Sequence, residues 1–335
     1  MTRTAAVVAT GRYLPERLVT NDELRAQFAD SDQAEQIDRF AERSGIRQRY
    51  WAAPDELTSD LAAAAGRDAL ERAGIAADAI DLIIVGTDTP DQITPATSVI
   101  VQAKLGARNA GTFDIGCACA SFPTALANAA GLIAGNPSIQ RVLVIGAYLM
   151  HRLADPTDPM IFFYGDGAGA AVVEASDTPG VITSAFLADG HYAGHWGIAA
   201  GGTAEPASHA AVAAGRTCVR LSERYPPEIN ETGWPELMRR LSDQGQFNMA
   251  DIDLAIFTQV NAETISAACK TLGIDEQRAP KLMDRYGYTG SACVPIALDH
   301  ALSEQPAPGL VTLIGSGVGY NMAGVALQIP EVAGG

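Results

Sequence analysis

Short runs of consecutive apolar residues alternate along this chain with longer Ala-rich stretches. Continuous apolar runs are typical of strands buried on both faces of a sheet, and the clearest predicted strands are 5–11, 80–86 and 141–146. The Ala-rich stretches predict helices, and the clearest are 59–73 and 96–105. A further helix is expected to begin at Asn21, a good N-cap residue that precedes Asp22 and Glu23. Alternating strands and helices indicate an α/β fold.

The second half of the chain repeats the pattern of the first. Residues 80–85 match 252–257, and residues 120–129 match 292–301; both pairs are offset by 172 positions (252 − 80 and 292 − 120). Two separate blocks at one spacing indicate an internal duplication. We therefore expect two related α/β halves, residues 1–176 and residues 177–335, with an active site where they meet.

The stretch 113–129 carries the clearest candidate for chemistry. An apolar run leaves a strand, passes through small residues that include Cys117 and Cys119, and continues as an Ala- and Leu-rich helix. A cysteine at such a turn lies over the first helical N–H groups, whose partial positive charge favours the thiolate and makes the sulfur a nucleophile. The alternative is two structural cysteines buried in a small-residue packing site, since free cysteine is commonly buried.

Composition narrows the possible partners and the compartment. The formal net charge of −16 argues against binding to nucleic acid or to anionic membrane surfaces. We see no apolar run of about 18 residues and no signal-peptide pattern, so no membrane span is expected. The five cysteines have no framework spacing, which favours the reducing cytoplasm. Cys117 and Cys119 are too close for a zinc knuckle, so no metal site is expected.

Two patterns bear on phosphate-containing ligands. Four arginines surround Ser44–Gly45–Ile46 and form either a phosphate-contacting rim or a solvated surface: Arg39, Arg43, Arg47 and Arg49. The glycine-rich run 165–169 precedes an apolar strand instead of opening a helix. It therefore lacks the context of a dinucleotide-binding loop.

Several motifs together resemble a known family. They are Asp114 to Phe122 with Cys119, Asp155–Pro–Thr–Asp158, the glycine-rich run 165–172, residues 286–298, residues 11–16 and residues 44–49. In combination they are similar to the β-ketoacyl-acyl-carrier-protein synthase III branch of the thiolase superfamily, over nearly the whole chain. The resemblance implies a five-layered αβαβα fold, a homodimer in which the loop 90–95 reaches the partner's pocket, and an acyl-cysteine intermediate. It places the nucleophile at Cys119, not Cys117.

Two positions depart from the family pattern. The family's His-Gln-Ala-Asn run corresponds to Thr258–Gln–Val–Asn261, so Thr258 stands in place of the histidine. The family's Gly-Asn-Thr corresponds to Gly287–Tyr288–Thr289, so Tyr288 stands in place of the asparagine. In the family these two residues support malonyl decarboxylation, and Thr and Tyr are hydrogen-bond donors but not bases at pH 7. The resemblance therefore implies acyl transfer through Cys119 with an altered second step, in which Thr258 and Tyr288 take changed catalytic roles.

The expected donor site is also changed. Arg43 matches a phosphate-contacting position and Asn261 matches the end of the His-Gln-Ala-Asn run, so both are expected to bind the donor. Pro159 and Glu263 stand where the family has basic residues, which should weaken binding of a polyanionic coenzyme A. The donor is thus an acyl-CoA at a reshaped site or an acyl carrier protein, and no permanently bound cofactor is expected.

A base and an oxyanion hole must come from elsewhere in the chain. The run 189–196 contains His191 and His195, and a histidine at the pocket mouth could deprotonate an acceptor; His195 is our candidate, with a surface or packing role as the alternative. The run 315–324 corresponds to the family's C-terminal glycine turn, whose amide helps to form the oxyanion hole. Gly319 is our candidate there, with Gly317 as the alternative.

These observations predict a cytoplasmic acyltransferase of polyketide, fatty-acid or other specialised biosynthesis. Cys119 would take an acyl group from a CoA or carrier-protein thioester and pass it to a small-molecule acceptor. The first alternative is a ketosynthase III that forms carbon–carbon bonds at a non-standard site. The second is a non-catalytic partner subunit of a related synthase.

Overall fold

The computed structural model describes residues 3–29, 33–304 and 308–329. The strands are β1 Thr4–Tyr13, β2 Arg17–Thr20, β3 Gln48–Trp51, β4 Leu82–Gly86, β5 Gly111–Ile115, β6 Arg141–Tyr148, β7 Gly167–Ser176, β8 Val181–Ala188, β9 Trp196–Gly197, β10 Arg220–Leu221, β11 Leu254–Phe257, β12 Gly309–Gly317 and β13 Asn321–Ile329. The α-helices are α1 Asn21–Gln27, α2 Ala34–Ser44, α3 Thr58–Ala73, α4 Thr97–Leu105, α5 Ser121–Gly135, α6 His209–Ala213, α7 Ile229–Gly245, α8 Ala262–Leu272, α9 Met283–Tyr286 and α10 Cys293–Glu304.

Two larger sheets organise the molecule. The first has the strand order β1-β7-β6-β4-β5, in which β4 runs parallel to both β5 and β6. The second has the order β11-β12-β13-β8, in which β11 and β12 are parallel. In both sheets the remaining neighbours are antiparallel. The parallel strands at the centre are buried along almost their whole length, as their continuous apolar sequences predict.

Helices cover both sheets and fill the space between them. Helix α3 packs on β1, β6 and β7 of the first sheet, and α4 lies beside it, packing on β4 and β5. Helices α5 and α10 lie between the two sheets and contact strands of both, while α7 packs on the outer face of the second sheet and carries α8. Three buried apolar clusters fill the spaces between the layers. The result is the expected five-layered αβαβα arrangement.

The internal duplication is visible in the topology. The single 3₁₀ turns that precede α5 and α10 are Ala118–Ala120 and Gly290–Ala292, which lie at the predicted offset. The order β1-β7-β6-β4 in the first sheet corresponds to β8-β13-β12-β11 in the second. The boundary predicted at 176/177 falls between β7 and β8. As a division into two domains it remains a prediction.

Most of the predicted elements are present, with small shifts at their ends. The helix predicted at 59–73 is α3, which ends at Gly74 in the left-handed conformation (φ 66°). The helix predicted to be capped by Asn21 is capped by Thr20 instead, whose side chain accepts a hydrogen bond from the Glu23 N–H. Asn21 is already inside the helix, and its side-chain amide donates to the Ile46 carbonyl at 2.9 Å.

One helical stretch is long and apolar enough to cross a membrane when length and composition alone are considered. Residues Ala118–Gly135 meet that criterion by length and composition. In the fold most of this stretch is α5, and α5 packs against strands of both sheets. Its apolar character therefore belongs to the middle helical layer of the core.

Candidate active site

The nucleophile candidate lies on a tight turn between β5 and α5. Ala118 adopts a positive φ of 46°, which is uncommon for a residue with a side chain, and the Ala120 N–H donates to the Cys117 carbonyl at 3.0 Å. The Ser121 hydroxyl accepts from the Cys117 N–H at 2.9 Å and closes the turn. Cys119 is buried and lines an internal cavity, whereas Cys117 is half-buried and lies outside it.

Two glycines of β12 allow the backbone of the second sheet to pack closely against this turn. A Cβ at Gly317 would lie 2.4 Å from the Cys117 carbonyl oxygen and 2.9 Å from the Cys119 nitrogen. A Cβ at Gly315 would lie 2.7 Å from the Cys119 carbonyl oxygen. Only glycine permits backbone contact this close. The end of β12 therefore backs directly onto the candidate nucleophile.

Cys119 is held as a neutral thiol in this structure. Burial raises its pKa well above the ordinary value for a thiol, and Cys293 and Asp88 act in the same direction. This effect of burial opposes the helix field that our sequence analysis expected to favour the thiolate. Attack by Cys119 therefore requires a group that takes its proton.

Tyr288 lies directly beside the sulfur. Its hydroxyl is in hydrogen-bond contact with Cys119 Sγ, and its ring packs at 6.0 Å from that of Tyr148. The Tyr288 backbone is fixed on both sides, since its N–H donates to the Phe163 carbonyl and its carbonyl accepts from Gly165, both at 2.9 Å. Burial raises the Tyr288 pKa well above its usual range. The hydroxyl therefore keeps its proton and presents it to whatever occupies Cys119.

Thr258 is buried but engaged with the backbone. Its hydroxyl accepts the Ser316 N–H at 2.8 Å and donates to the Ile314 carbonyl at 3.4 Å. Its own N–H also donates to the Ile314 carbonyl, at 2.9 Å. The hydroxyl thus joins the carboxyl ends of β11 and β12. Thr258 lines the cavity that adjoins the Cys119 cavity, and not the Cys119 cavity itself.

Three adjoining cavities lead from the surface to Cys119. The innermost, of about 220 Å³, is lined by Cys119 and Tyr148. It shares Trp196, Tyr288 and Val318 with a second cavity of about 300 Å³. That second cavity in turn shares residues of α8 and its cap with an outer cavity of about 350 Å³. Tyr288 therefore lies where the inner cavity meets the second one.

The two residues expected to bind the donor line the same outer cavity. Arg43 is exposed there, and Asn261 lies deeper, at the junction with the second cavity. The Asn261 side chain caps α8 by accepting from the Glu263 N–H at 2.8 Å. Glu231 and Glu263 line this cavity too, so its mouth carries mixed charge. Both assignments to donor binding remain predictions.

The four clustered arginines differ in exposure. Arg39, Arg43 and Arg47 are exposed, whereas Arg49 is fully buried, with its guanidinium 4.8 Å from the centre of the Phe162 ring. Burial lowers the Arg49 pKa to about 9. Arg49 belongs neither to a phosphate-contacting rim nor to a solvated surface. Side chains alternate between the two faces of β3, and that of Arg49 points inward.

His195 and Gly319 lie away from the inner cavity. His195 packs against Tyr192 and Tyr225, with ring centroids 5.0 and 5.2 Å away, and lines neither the inner nor the second cavity. The Gly319 N–H donates to the Tyr225 hydroxyl at 3.4 Å. Gly317 is the glycine next to Cys119, and Val318 lines the inner cavity. The roles of His195 as base and Gly319 as oxyanion donor stay predictions.

Asp88 is a cavity residue that our sequence analysis did not identify. It follows the carboxyl end of β4 and lines the inner cavity together with Cys119. Burial raises its pKa from 3.8 to about 6. The available signal was its place after a buried strand, because β4 is parallel to β5 and the two strands end at the same edge of the sheet, where Cys119 lies.

The remaining cysteines and acidic residues suggest no additional centre. All five cysteines are free thiols, and Cys293 is buried at the start of α10, near Cys119. In the described part of the chain, no group of three or more His, Cys, Asp or Glu side chains is arranged to hold a metal ion.

The five layers, the duplicated halves and the cysteine turn between the sheets define the class, a thiolase-fold protein. Residues 113–190 match the sequence profile of 3-oxoacyl-[acyl-carrier-protein] synthase III, and residues 242–329 match that of its C-terminal part. A β-ketoacyl-[acyl-carrier-protein] synthase III from Methylococcus capsulatus is 35% identical over 308 residues, which are 91% of this chain and 92% of that protein.

Solved structures agree with the sequence comparisons. The priming β-ketosynthase of the R1128 polyketide pathway superposes with a TM-score of 0.87 at 32% identity, covering 98% of this chain and 97% of the other. The 3-oxoacyl-(acyl carrier protein) synthase III of Pseudomonas aeruginosa superposes with a TM-score of 0.86 at 28% identity, covering 99% and 100%. The chain belongs to the β-ketoacyl-acyl-carrier-protein synthase III family, as its motifs predicted.

Proposed function

We propose that this protein is an acyltransferase that works through an acyl-Cys119 intermediate. Cys119 takes an acyl group from a thioester of CoA or of an acyl carrier protein and passes it to a small-molecule acceptor that brings its own nucleophile. The observation that carries the proposal is the site itself. The cysteine turn and its glycine-lined support are intact, while the two positions that serve decarboxylation in the family hold Thr258 and Tyr288.

Acyl loading needs only features that the site retains. The carbonyl oxygen of a bound thioester develops negative charge during attack, and we expect backbone N–H groups of the Cys119 turn and of the adjoining end of β12 to stabilise it. The Tyr288 O–H, next to the sulfur, is a further donor toward that region. The inner cavity has room for a short acyl chain. None of these contributions requires histidine at position 258 or asparagine at position 288.

Malonyl decarboxylation needs features that the site has lost. The enolate formed in that reaction requires hydrogen-bond donors fixed in a dry site, and the loss of one such donor costs about 3 kcal/mol, or roughly a hundredfold in rate. The Thr258 hydroxyl bonds backbone groups of β12, and Tyr288, bulkier than asparagine, lines both the inner and the second cavity. The acceptor therefore attacks directly instead of being generated from a malonyl group.

The donor reaches Cys119 through the three cavities. Arg43 at the outer cavity is placed to contact a phosphate, while Glu231 and Glu263 repel additional negative charge. This mixture of charges favours a donor that carries one phosphate at this cavity, such as the phosphopantetheine arm of an acyl carrier protein. CoA, which carries three phosphates, is less favoured. The exposed Arg39 and Arg224 line a neighbouring surface cavity and add positive charge at the mouth for an acidic carrier.

Intact-protein mass spectrometry after incubation with a panel of acyl-CoA and acyl-carrier-protein thioesters tests the proposal. We expect the wild-type chain to gain the mass of one acyl group and Cys119→Ala to gain none. Cys117→Ala is the matched control and should load as the wild type does, since Cys117 lies outside the cavity. Loading that persists in Cys119→Ala, or no loading by any thioester, would contradict it; the latter result favours a non-catalytic partner subunit.

Carbon–carbon bond formation is the second candidate. It is favoured by the names of the relatives, which include a β-ketoacyl synthase III at 35% identity and a priming β-ketosynthase at 32%. It requires Thr258 and Tyr288 to do the work of histidine and asparagine, or another residue to replace them. Release of carbon dioxide from malonyl thioesters separates the two candidates.

A further inference from the structure

The inner cavity contains one acidic side chain that acyl transfer as described leaves without a role. Asp88 lines the same 220 Å³ space as Cys119, and its side chain is partly accessible from that space. Apart from Cys119, Tyr148 and Tyr288, it is the only ionisable group among the described residues that line this cavity. A carboxyl group that lines the same mostly apolar cavity as the candidate nucleophile is suited to proton transfer.

The loop that carries Asp88 is firmly held on both sides. The Thr87 N–H donates to the Ile115 carbonyl at 3.1 Å, which ties the loop to the end of β5. The Thr89 hydroxyl accepts from the Leu149 N–H at 2.9 Å, and the Thr89 carbonyl accepts from Thr58 at 2.6 Å. These bonds connect the loop to the strand that leads to Cys119, to the end of β6 and to α3. The position of Asp88 relative to the turn is therefore set by the fold.

Few groups stabilise the ionised form of the Asp88 carboxyl. The Ser291 hydroxyl lies 3.4 Å from Asp88 Oδ1, farther than the 2.6 Å to its other acceptor, the Ala147 carbonyl. No lysine, arginine or histidine is among the described residues that line the cavity. Burial raises the pKa of this carboxyl more than hydrogen bonds from the Asp88 backbone N–H and the Ser291 hydroxyl lower it.

We propose that Asp88 is the general base of both steps. It first activates Cys119 and then activates the nucleophile of the small molecule that receives the acyl group. The inference rests on the proposed acyl transfer and adds the group that moves its protons.

Both half-reactions balance with Asp88 as the base. In loading, the Cys119 thiol proton passes to the Asp88 carboxylate, directly or through one water, as the carbon–sulfur bond to Cys119 forms. The donor's carbon–sulfur bond breaks, and Asp88 returns the proton to the departing thiolate. In transfer, the acceptor gives its proton to Asp88 as it attacks the acyl carbon, and Asp88 then protonates the Cys119 sulfur that leaves.

The groups around Asp88 do not titrate in the same pH range. Five other ionisable residues lie near Asp88, in the turn before α5, at the end of β6, in the segment before β7, in the segment before α10 and at the start of α10: Cys119, Tyr148, Tyr164, Tyr288 and Cys293. Burial raises the pKa of each of them, so all are neutral near pH 7. Asp88, with its pKa near 6, is the member of the group that changes charge there. The base form is present above pH 6 and is lost as the pH falls through that value.

Alkylation of Cys119 by iodoacetamide between pH 5 and pH 9 tests the inference without relying on acyl transfer. Peptide mapping by mass spectrometry gives the rate at Cys119 alone. We expect the wild-type alkylation rate to fall as the pH drops below 6, which forms the acidic limb of the pH profile. Asp88→Asn should lower the rate at pH 7 at least tenfold and remove that acidic limb. Asp88→Glu should retain part of the rate. Asp55→Asn, which removes an exposed carboxyl outside the cavity, should leave the profile unchanged.

Acyl loading from acetyl-CoA and hexanoyl-CoA is then timed with the same variants. A loss of at least a hundredfold in Asp88→Asn, with wild-type far-UV circular dichroism and unfolding midpoint, supports the inference. Identical alkylation and loading profiles for Asp88→Asn and wild type would overturn it, and loss of the limb in His195→Gln instead would assign the role to His195. If neither of these thioesters nor any acyl-carrier-protein thioester loads the wild type while the pH dependence of alkylation is lost in Asp88→Asn, the proposed acyl transfer fails and the activation of Cys119 by Asp88 stands.

Discussion

Individual side chains at this site divide into those that meet the substrate cavity and those that hold it in place. Cys119, Tyr288 and Asp88 face the inner cavity, whereas the Thr258 hydroxyl bridges two strand ends. The motif resemblance brought Cys119, Thr258 and Tyr288 into consideration, because each lies at a recognisable position in the sequence. The direction in which each hydroxyl points depends on backbone groups far along the chain, such as Ile314 for Thr258. Sequence alone could not separate a catalytic threonine from a structural one.

Replacement of Thr258 distinguishes these two roles. Thr258→Val removes the acceptor of the buried Ser316 N–H, and an unsatisfied buried donor costs about 1–3 kcal/mol in the free energy of unfolding. Thr258→Ser keeps the hydroxyl and should lose only about 1 kcal/mol for its methyl group. Chemical denaturation measures both, and acyl loading should persist in both. Loss of loading in Thr258→Val at unchanged stability would show that the hydroxyl acts on substrate.

At the scale of elements, the site is built by the close approach of a β-strand to a helix-initiating turn. The alternation of apolar runs and Ala-rich stretches was enough to predict β4, β6, α3 and α4 within a few residues. Gly315 and Gly317 could be predicted only as part of a glycine-rich run. Their function depends on the second sheet meeting the turn at Cys119, a contact between segments about 200 residues apart. Asp88 was missed although it follows a buried strand, because the cavity that it shares with Cys119 also depends on the distant Tyr148 and Tyr288.

Gly317→Ala tests the contact between β12 and the turn. The added Cβ would lie 2.4 Å from the Cys117 carbonyl oxygen, so the turn must shift. We expect a loss of about 1–3 kcal/mol in stability and roughly a hundredfold slower acyl loading, because a displacement of 1 Å at a nucleophile has that effect.

Gly131→Ala is the matched control for that substitution. Gly131 lies in α5, and a Cβ there meets no atom within 4 Å. We expect unchanged loading and up to about 1 kcal/mol of added stability, because alanine favours the helix. Equal loading by Gly317→Ala and Gly131→Ala would show that the turn tolerates displacement.

At the scale of the whole molecule, the first sheet ends in a strand that, among the described residues, pairs on one side only. Strand β5 is the outermost strand, and the loop and helix beside it expose Ile93 and Val99, with 79% and 41% of their surface accessible. Exposed strand edges flanked by apolar side chains favour pairing with a second chain. We propose a C₂ homodimer through this edge, as the family resemblance implied.

Light scattering of the chain at micromolar concentration checks this proposal, with the mass of a dimer expected for the wild type. Ile93→Asp places a charge in the proposed interface and should raise the dissociation constant of the dimer at least tenfold. Val212→Asp is the control, since Val212 is also exposed (60%) but lies on α6, away from β5. A monomeric wild type, or equal effects of the two substitutions, would contradict an interface at β5.

The central claim, that acyl-Cys119 forms while malonyl groups are not decarboxylated, is tested most directly in a single sample. The chain is first loaded with an acyl thioester, and loading is verified by intact mass. Malonyl-CoA and malonyl carrier protein are then added, and released carbon dioxide and β-ketoacyl product are measured beside a family member that retains the histidine and asparagine. We predict an acylated protein, no carbon dioxide above background and no β-ketoacyl product. Carbon dioxide and product formed at the rate of that reference enzyme would contradict the account.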